Sequence, residues 1–237
     1  MSARDPWGYP WSSELLAGSI GPGGFLAGPS ASKPSRSSTP VVAVGSNASP
    51  HVLIDKLGHL LGQCSTEQVT LGLHHIPRLH VGHSAHVSQG GYVAAAPFLT
   101  GAVSDKHVSR PPDRANDLGE ASTYCVGWFS QRLLAALDAT EPNYRRVLLP
   151  ADVAPVQGAQ AYVSVHGVIG EGAHALPFLP QRELYAWLRT RLPCLQTITK
   201  GHPHPYADPH LRDQVRQDLC RLGLVAPSGF AQPSVSR

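Results

Sequence analysis

The stretch from Val41 to Leu61, VVAVGSNASPHVLIDKLGHLL, constrains the fold more than any other. Four small or β-branched apolar residues, Val41 to Val44, read as a short buried strand. Gly45, Ser46 and Asn47 then suit a tight backbone turn. Ser49 is an N-cap candidate with Pro50 at the first helical position, and Leu53, Leu57, Leu60 and Leu61 recur at helical spacing. A strand, a glycine turn and a helix start gather free backbone N–H groups around one point, which suits an anion such as a substrate carboxylate. An ordinary strand-to-helix turn has the same signature, so this stretch alone leaves both readings open.

Ahead of it, residues 1–40 are rich in Ser, Pro and Gly, with GPGG at Gly21 to Gly24, and read as a disordered leader. Trp7, Tyr9, Trp11, Leu15 and Leu16 are the exception, an apolar patch expected to dock on the folded part. Beyond the central stretch, Gln68 to Ile76, Leu79 to Ser88 and Tyr92 to Leu99 read as strands, with a turn or bulge at Gly90-Gly91. Asp105 to Glu120 reads as an exposed loop. Thr123 to Phe129 alternates Tyr124, Val126 and Trp128 against Cys125 and Phe129, as a strand does. Ser130 can cap a helix carrying Leu133, Leu134 and Leu137, which should stop near Thr140 or Glu141 because Pro142 follows.

Arg145 to Leu149 and Ala159 to Ile169 read as further strands. Helices are expected over Gln181 to Leu192 and, behind Asp208-Pro209, over His210 to Leu222, with Gly223 as the stop. These two helices should cover one face of the sheet, ahead of a loose tail. Short strands interrupted by helices predict an α+β fold with a curled sheet or small mixed β-barrel, flanking helices and a C-terminal helical extension.

Composition narrows the function. With 19 Lys and Arg against 16 Asp and Glu in 237 residues, and no basic stripe, nucleic acid is not an expected partner. No stretch approaches the roughly 18 apolar residues of a membrane span, and no secretory signal is visible, so a cytoplasmic protein is expected. Cys64, Cys125, Cys194 and Cys220 match no zinc spacing and read as free thiols. His74, His75, His80, His83 and His86 are crowded, as are His202, His204 and His210. On one strand His80 and His86 would stand about 20 Å apart at ~3.3 Å per residue, too far to share an ion. No metal or cofactor is therefore expected.

Glu141 is the carboxylate to examine. It follows the apolar helix LLAALDAT and precedes a proline. A helix C-terminus and an apolar pocket both disfavour ionisation, which would suit a group that takes and returns a proton. A solvated glutamate in a turn is the alternative.

Two segments carry a resemblance. VAVGSNAS, Val42 to Ser49, is similar to the YGSN loop of the γ-glutamylcyclotransferase-like superfamily, and LDATEPNYRRV, Leu137 to Val147, resembles its LDxxEG…Y segment. The resemblance covers Val41 to Val165. It implies a small mixed barrel over residues 41–176; the helical extension over 177–225 and the tail over 226–237 lie outside it and rest on the residue pattern alone. It also implies an enzyme that cyclises a γ-glutamyl amine or peptide, with the substrate's α-amine attacking its own γ-carbonyl to give 5-oxoproline and a free amine. On that basis Glu141 is the general acid/base. Val44, Gly45, Ser46 and Asn47 cradle the substrate, and Tyr144 lines the pocket. His86, beside the Gly90-Gly91 turn, is added as a lining residue. Val44 stands where the superfamily usually has tyrosine, and Pro142 where glycine is usual. Two alternatives stay open: a catalytically silent small-molecule-binding or interaction module, and a related amidase or hydrolase in which Glu141 activates water.

Overall fold

The computed structural model describes residues 5–11, 14–28, 34–62, 66–100, 122–196, 206 and 208–230. The expectations for Cys64, for the loop over Asp105 to Glu120, and for His202 and His204 lie outside the described residues.

A seven-stranded mixed sheet is built from β1 (Gly18–Gly21), β2 (Gly24–Ala27), β3 (Thr39–Ala43), β4 (Val69–Ile76), β7 (Ser122–Phe129), β8 (Tyr144–Leu148) and β9 (Gln160–Ser164). Its order is β2-β1-β4-β7-β3-β9-β8. Among the described residues no pairing joins β2 to β8, so the sheet has two edges. A separate two-stranded sheet pairs β5 (Leu79–His83) with β6 (Ala95–Leu99). A three-stranded one joins β11 (His174–Ala175), β10 (Val168–Glu171) and β12 (Val225–Ala226). The helices are α1 (Pro50–Leu57), α2 (Gln131–Ala139), α3 (Gln181–Arg191), the short α4 (Pro193–Gln196) and α5 (Pro209–Arg221). Among the described residues no helix is long and apolar enough to cross a membrane.

Strand alternation divides the interior into two layers around the large sheet. Val41, Ala43, Cys125 and Phe129 face the layer filled by Leu53, Leu57 and Leu61 with Leu133, Leu134 and Leu137. Val42, Tyr124 and Val126 face the other, with Ile76, Leu79, Leu149 and Val153. β3 is an interior strand, antiparallel to β7 and parallel to β9. Its four buried residues Pro40 to Ala43 therefore read as a continuous apolar run.

Several expectations need correction. The leader supplies a hairpin instead of staying disordered. Gly21 pairs with Gly24, leaving Pro22-Gly23 as a two-residue loop, and Gly24 has φ +94°. The GPGG run is thus a turn signal and not low complexity. The strand from Leu79 stops at His83, because Ser84 leaves the ladder and Ala85 to Val93 turn into a different core. The strand from Tyr92 begins only at Ala95. The strand expected over Ala159 to Ile169 breaks into β9 and β10, since Gly167 sits at φ +81°. The C-terminal helices do not cover the large sheet. Leu184, Leu188, Val215 and Leu219 pack with Ala85, Val87, Val93 and Ile169 as a third core.

Other expectations match. Ser130 accepts a hydrogen bond from the Leu133 amide at 3.3 Å and α2 ends at Ala139. Asp208 caps α5, and Gly223 follows it at φ +67°. Ser49 has the extended backbone of an N-cap but makes no side-chain cap bond; only Pro50 behaves as expected there.

Candidate active site

β3 ends at Ala43, and the chain then turns through a single 3₁₀ turn, Gly45–Ala48, into α1. Gly45 has φ +58°, a region costly for any residue with a Cβ. A Cβ there would also stand 2.2 Å from the Tyr9 hydroxyl oxygen. This position therefore requires glycine on two independent grounds.

At the end of α2, Thr140 closes the helix by donating its hydroxyl to the Leu137 carbonyl at 2.8 Å. The Glu141 amide donates to the Asp138 carbonyl at 3.0 Å. The Glu141 carbonyl in turn accepts from the Tyr144 amide at 3.0 Å, which closes a four-residue turn with Pro142 in its second position. Proline is favoured there because its fixed φ fits the turn. The departure at Pro142 thus has a local physical reason, and β8 starts directly from this turn.

These two segments meet. Asn47 Nδ2 donates to Glu141 Oε1 at 3.0 Å across ninety-four residues of chain. Lys56, in the last turn of α1, donates from Nζ to Glu141 Oε1 at 2.5 Å and to Asn47 Oδ1 at 2.7 Å. The Lys56 and Glu141 side chains are only 14% and 12% exposed. The expected lone acid is instead one corner of a carboxylate–ammonium–amide triangle. Every hydrogen bond to the carboxyl falls on Oε1, so among the described residues Oε2 is unpartnered. Glu141 itself lines a cavity.

The triangle lines a cavity of about 820 Å³ together with Val44, Ser46, Tyr144, Tyr162 and His86. Tyr9 and Trp11 from the leader form a further wall with Tyr92. The size suits a small-molecule ligand. Tyr144 lies where the sequence reading put it, but its hydroxyl proton is already used, donated to the Ala95 carbonyl at 2.9 Å. Burial raises its pKa well above the ordinary phenol value, helped by Tyr9 and Glu141 nearby.

His86 is buried, its Nδ1 2.5 Å from Ser84 Oγ, which in turn lies 2.6 Å from Ser164 Oγ. Burial first, and the neighbouring His166 second, push the His86 imidazole down to about 4, so it is a neutral ring at pH 7. His166 reaches back to Asn143 Oδ1 at 3.1 Å, linking this polar patch to the turn that carries Glu141. His83 does not face this patch: its Nε2 accepts from the Leu179 amide at 2.8 Å, and its ring stacks on Phe178.

All the residues singled out in the sequence except Gly45 line the cavity, and Gly45 shapes the turn that does. Lys56 was missed. Its one signal was position: it stands four residues after Val52, so both lie on the helix face turned to the cavity. Tyr9 was read only as a docking residue, and nothing local marks it as part of a site 86 residues along the chain from its partner Ala95.

Fold and site together define a mixed α+β protein with a paired, largely buried carboxylate just past the end of α2, beside the turn that follows β3. No protein-family model, curated protein or solved structure matches the chain.

Proposed function

We propose that the chain is a γ-glutamyl cyclotransferase-type enzyme, its curled sheet an opened form of the small barrel of that superfamily. The observation that carries the reading is the convergence of the Gly45–Asn47 turn and Glu141 on one cavity, with both hydrogen bonds to the carboxylate falling on Oε1. In this reaction the substrate's α-ammonium gives a proton to Glu141 Oε2, and its nitrogen attacks the γ-carbonyl carbon four bonds away, closing a five-membered ring. The carbonyl re-forms as the bond to the leaving nitrogen breaks. The two protons lost by the attacking nitrogen reappear, through the same carboxyl, on the departing amine. Attack within one molecule needs mainly orientation, so a shaped cavity supplies much of the rate. One positioned carboxyl group suffices for the proton traffic. Lys56 and Asn47 fix Oε1 so that Oε2 faces the ligand.

A second reading, a binding module without turnover, is favoured by one observation. The Lys56 ammonium lies 2.5 Å from the carboxylate, where a substrate's own ammonium would also compete. One experiment separates the two. Purified protein is given γ-glutamyl peptides and γ-glutamyl amines, and 5-oxoproline is followed by chromatography. The enzyme reading expects 5-oxoproline from the unaltered protein and a loss of about 10²–10⁴-fold in Glu141→Gln, assayed at a temperature where circular dichroism shows the variant still folded. Binding without product supports the module, glutamate as the product supports the hydrolase, and undiminished turnover by Glu141→Gln ends the cyclotransferase proposal.

A further inference from the structure

The leader lines the cavity. Trp7 is set edge-on to Tyr185 and Tyr206, at ring separations of 5.4 and 6.1 Å, with the Arg182 guanidinium 5.3 Å from its ring centre. That contact ties the N-terminal segment to α3 and to the third core. Two residues on, Tyr9 is buried and stacks on Tyr92 at 4.5 Å, while Trp11 closes edge-on against both. The stacking holds the Tyr9 ring so that its hydroxyl oxygen lies over Gly45.

The two phenols beside Ala95 are used in opposite senses. Tyr144 donates its proton to the Ala95 carbonyl, so it has none left for a ligand. The Tyr9 oxygen accepts from the Ala95 amide at 2.9 Å. A hydroxyl that accepts still owns one O–H to give. Among the described residues nothing accepts that proton, yet Tyr9 lines the same cavity as Glu141.

We infer that Tyr9 is a substrate-contacting residue, whose hydroxyl donates to an anionic oxygen of the ligand beside Glu141. The inference rests on the cyclotransferase reading above. Val44, which has no polar group, then leaves no gap in the wall, because the hydroxyl arrives from the leader. The oxygen in question is either the substrate's α-carboxylate or the oxyanion formed from its γ-carbonyl. A bond to the carboxylate exists in the ground state and affects KM, whereas a bond to the oxyanion exists only as the reaction proceeds and affects kcat.

The test uses the full chain, γ-glutamyl-alanine as the probe and 5-oxoproline as the readout. Tyr9→Phe keeps the stacking on Tyr92 and is expected to lower kcat/KM at least tenfold. A loss confined to kcat assigns the oxyanion, and one confined to KM the carboxylate. Since Tyr9→Phe also leaves the Ala95 amide without its partner, Tyr9→Ala separates chemistry from packing. Added p-cresol should restore turnover to that variant, while toluene, which fills the same space without a hydroxyl, should not. Equal rescue by toluene, or unchanged kcat/KM in Tyr9→Phe, overturns the assignment while leaving the cyclotransferase reading intact. Absence of turnover in the unaltered protein overturns both.

Discussion

Replacing Lys56 with methionine keeps the aliphatic stem and removes the ammonium, which isolates the contribution of the ion pair. Exposed pairs contribute about 0–1 kcal/mol, whereas stripping one partner from a buried pair costs about 3–5 kcal/mol, because a charge is left behind without its match. The Lys56 and Glu141 side chains are 14% and 12% exposed, close to the buried limit. After the substitution Glu141 Oε1 keeps only the Asn47 amide, and Asn47 Oδ1 loses its donor. The expected destabilisation is about 2–4 kcal/mol, or about 5–10 °C in melting temperature for a chain of this size. Urea denaturation at pH 7 measures it. The double variant Lys56→Met/Glu141→Gln no longer buries an unmatched charge and should recover at least half of the loss, a coupling on the order of 1–2 kcal/mol. If Lys56→Met lies within about 0.5 kcal/mol of the unaltered protein, the range of ordinary surface changes, or if the two substitutions simply add, the argument that Lys56 anchors the acid is wrong.

Two other expectations follow from single groups. Burial holds the His83 and His86 imidazoles down to about 3 and about 4, below the ordinary 6.5. Their contribution is therefore complete above pH 6.5. It is lost as the pH falls from there towards 3–4, where the unfolded chain takes up protons that the fold refuses, at about 1.4 kcal/mol per pH unit for each proton. Urea midpoints from pH 7.5 to 4.5 should show this slope, and His86→Gln should flatten it; an identical slope in the variant would remove His86 from the account. Gly45→Ala meets both a left-handed backbone and the Tyr9 hydroxyl. It should expel the leader from the cavity, seen as faster proteolysis within residues 5–11, and cleavage at the unaltered rate would show that the turn can shift without moving Tyr9.

What the sequence made legible was local. Ser130 with the LLAAL face, the Thr140 stop before Pro142, and the Asp208-Pro209 start are each settled within one or two helical turns, so residue order is enough to find them. The same holds for Gly45, whose turn chemistry is written in GSN. The ion pair was hidden, because a lysine in the last turn of a helix already has a sufficient reason to be there, its charge opposing the dipole. The leader was misread because Pro and Gly mark both disorder and turns. Only the pairing of Ser19 and Ile20 with Thr70 and Val69, fifty residues on, decides between them. Gly167 was overlooked since Val163, Val165 and Ile169 keep strand alternation across it, yet Val165 is exposed and the chain turns two residues later.

The meeting of the two segments has a geometric cause that needs no reference to function. β7 runs antiparallel to β3, with Phe129 opposite Thr39, so β7 ends level with the start of β3. α2 must then climb back along the sheet. Its nine residues rise about 13 Å at 1.5 Å each, and the five residues of β3 advance about 13 Å between the first and last at ~3.3 Å each. The helix therefore ends at the height where β3 gives way to the Gly45 turn. The burial of Leu133, Leu134 and Leu137 against Val41 and Ala43 sets which way the helix faces. Two residues past the end of α2, where the Glu141 amide bonds back to the Asp138 carbonyl, Glu141 meets Lys56 of α1. The depth of the acid is thus set by matched element lengths and its direction by the leucine face, so the cavity chemistry depends on core packing as much as on the residues that line it.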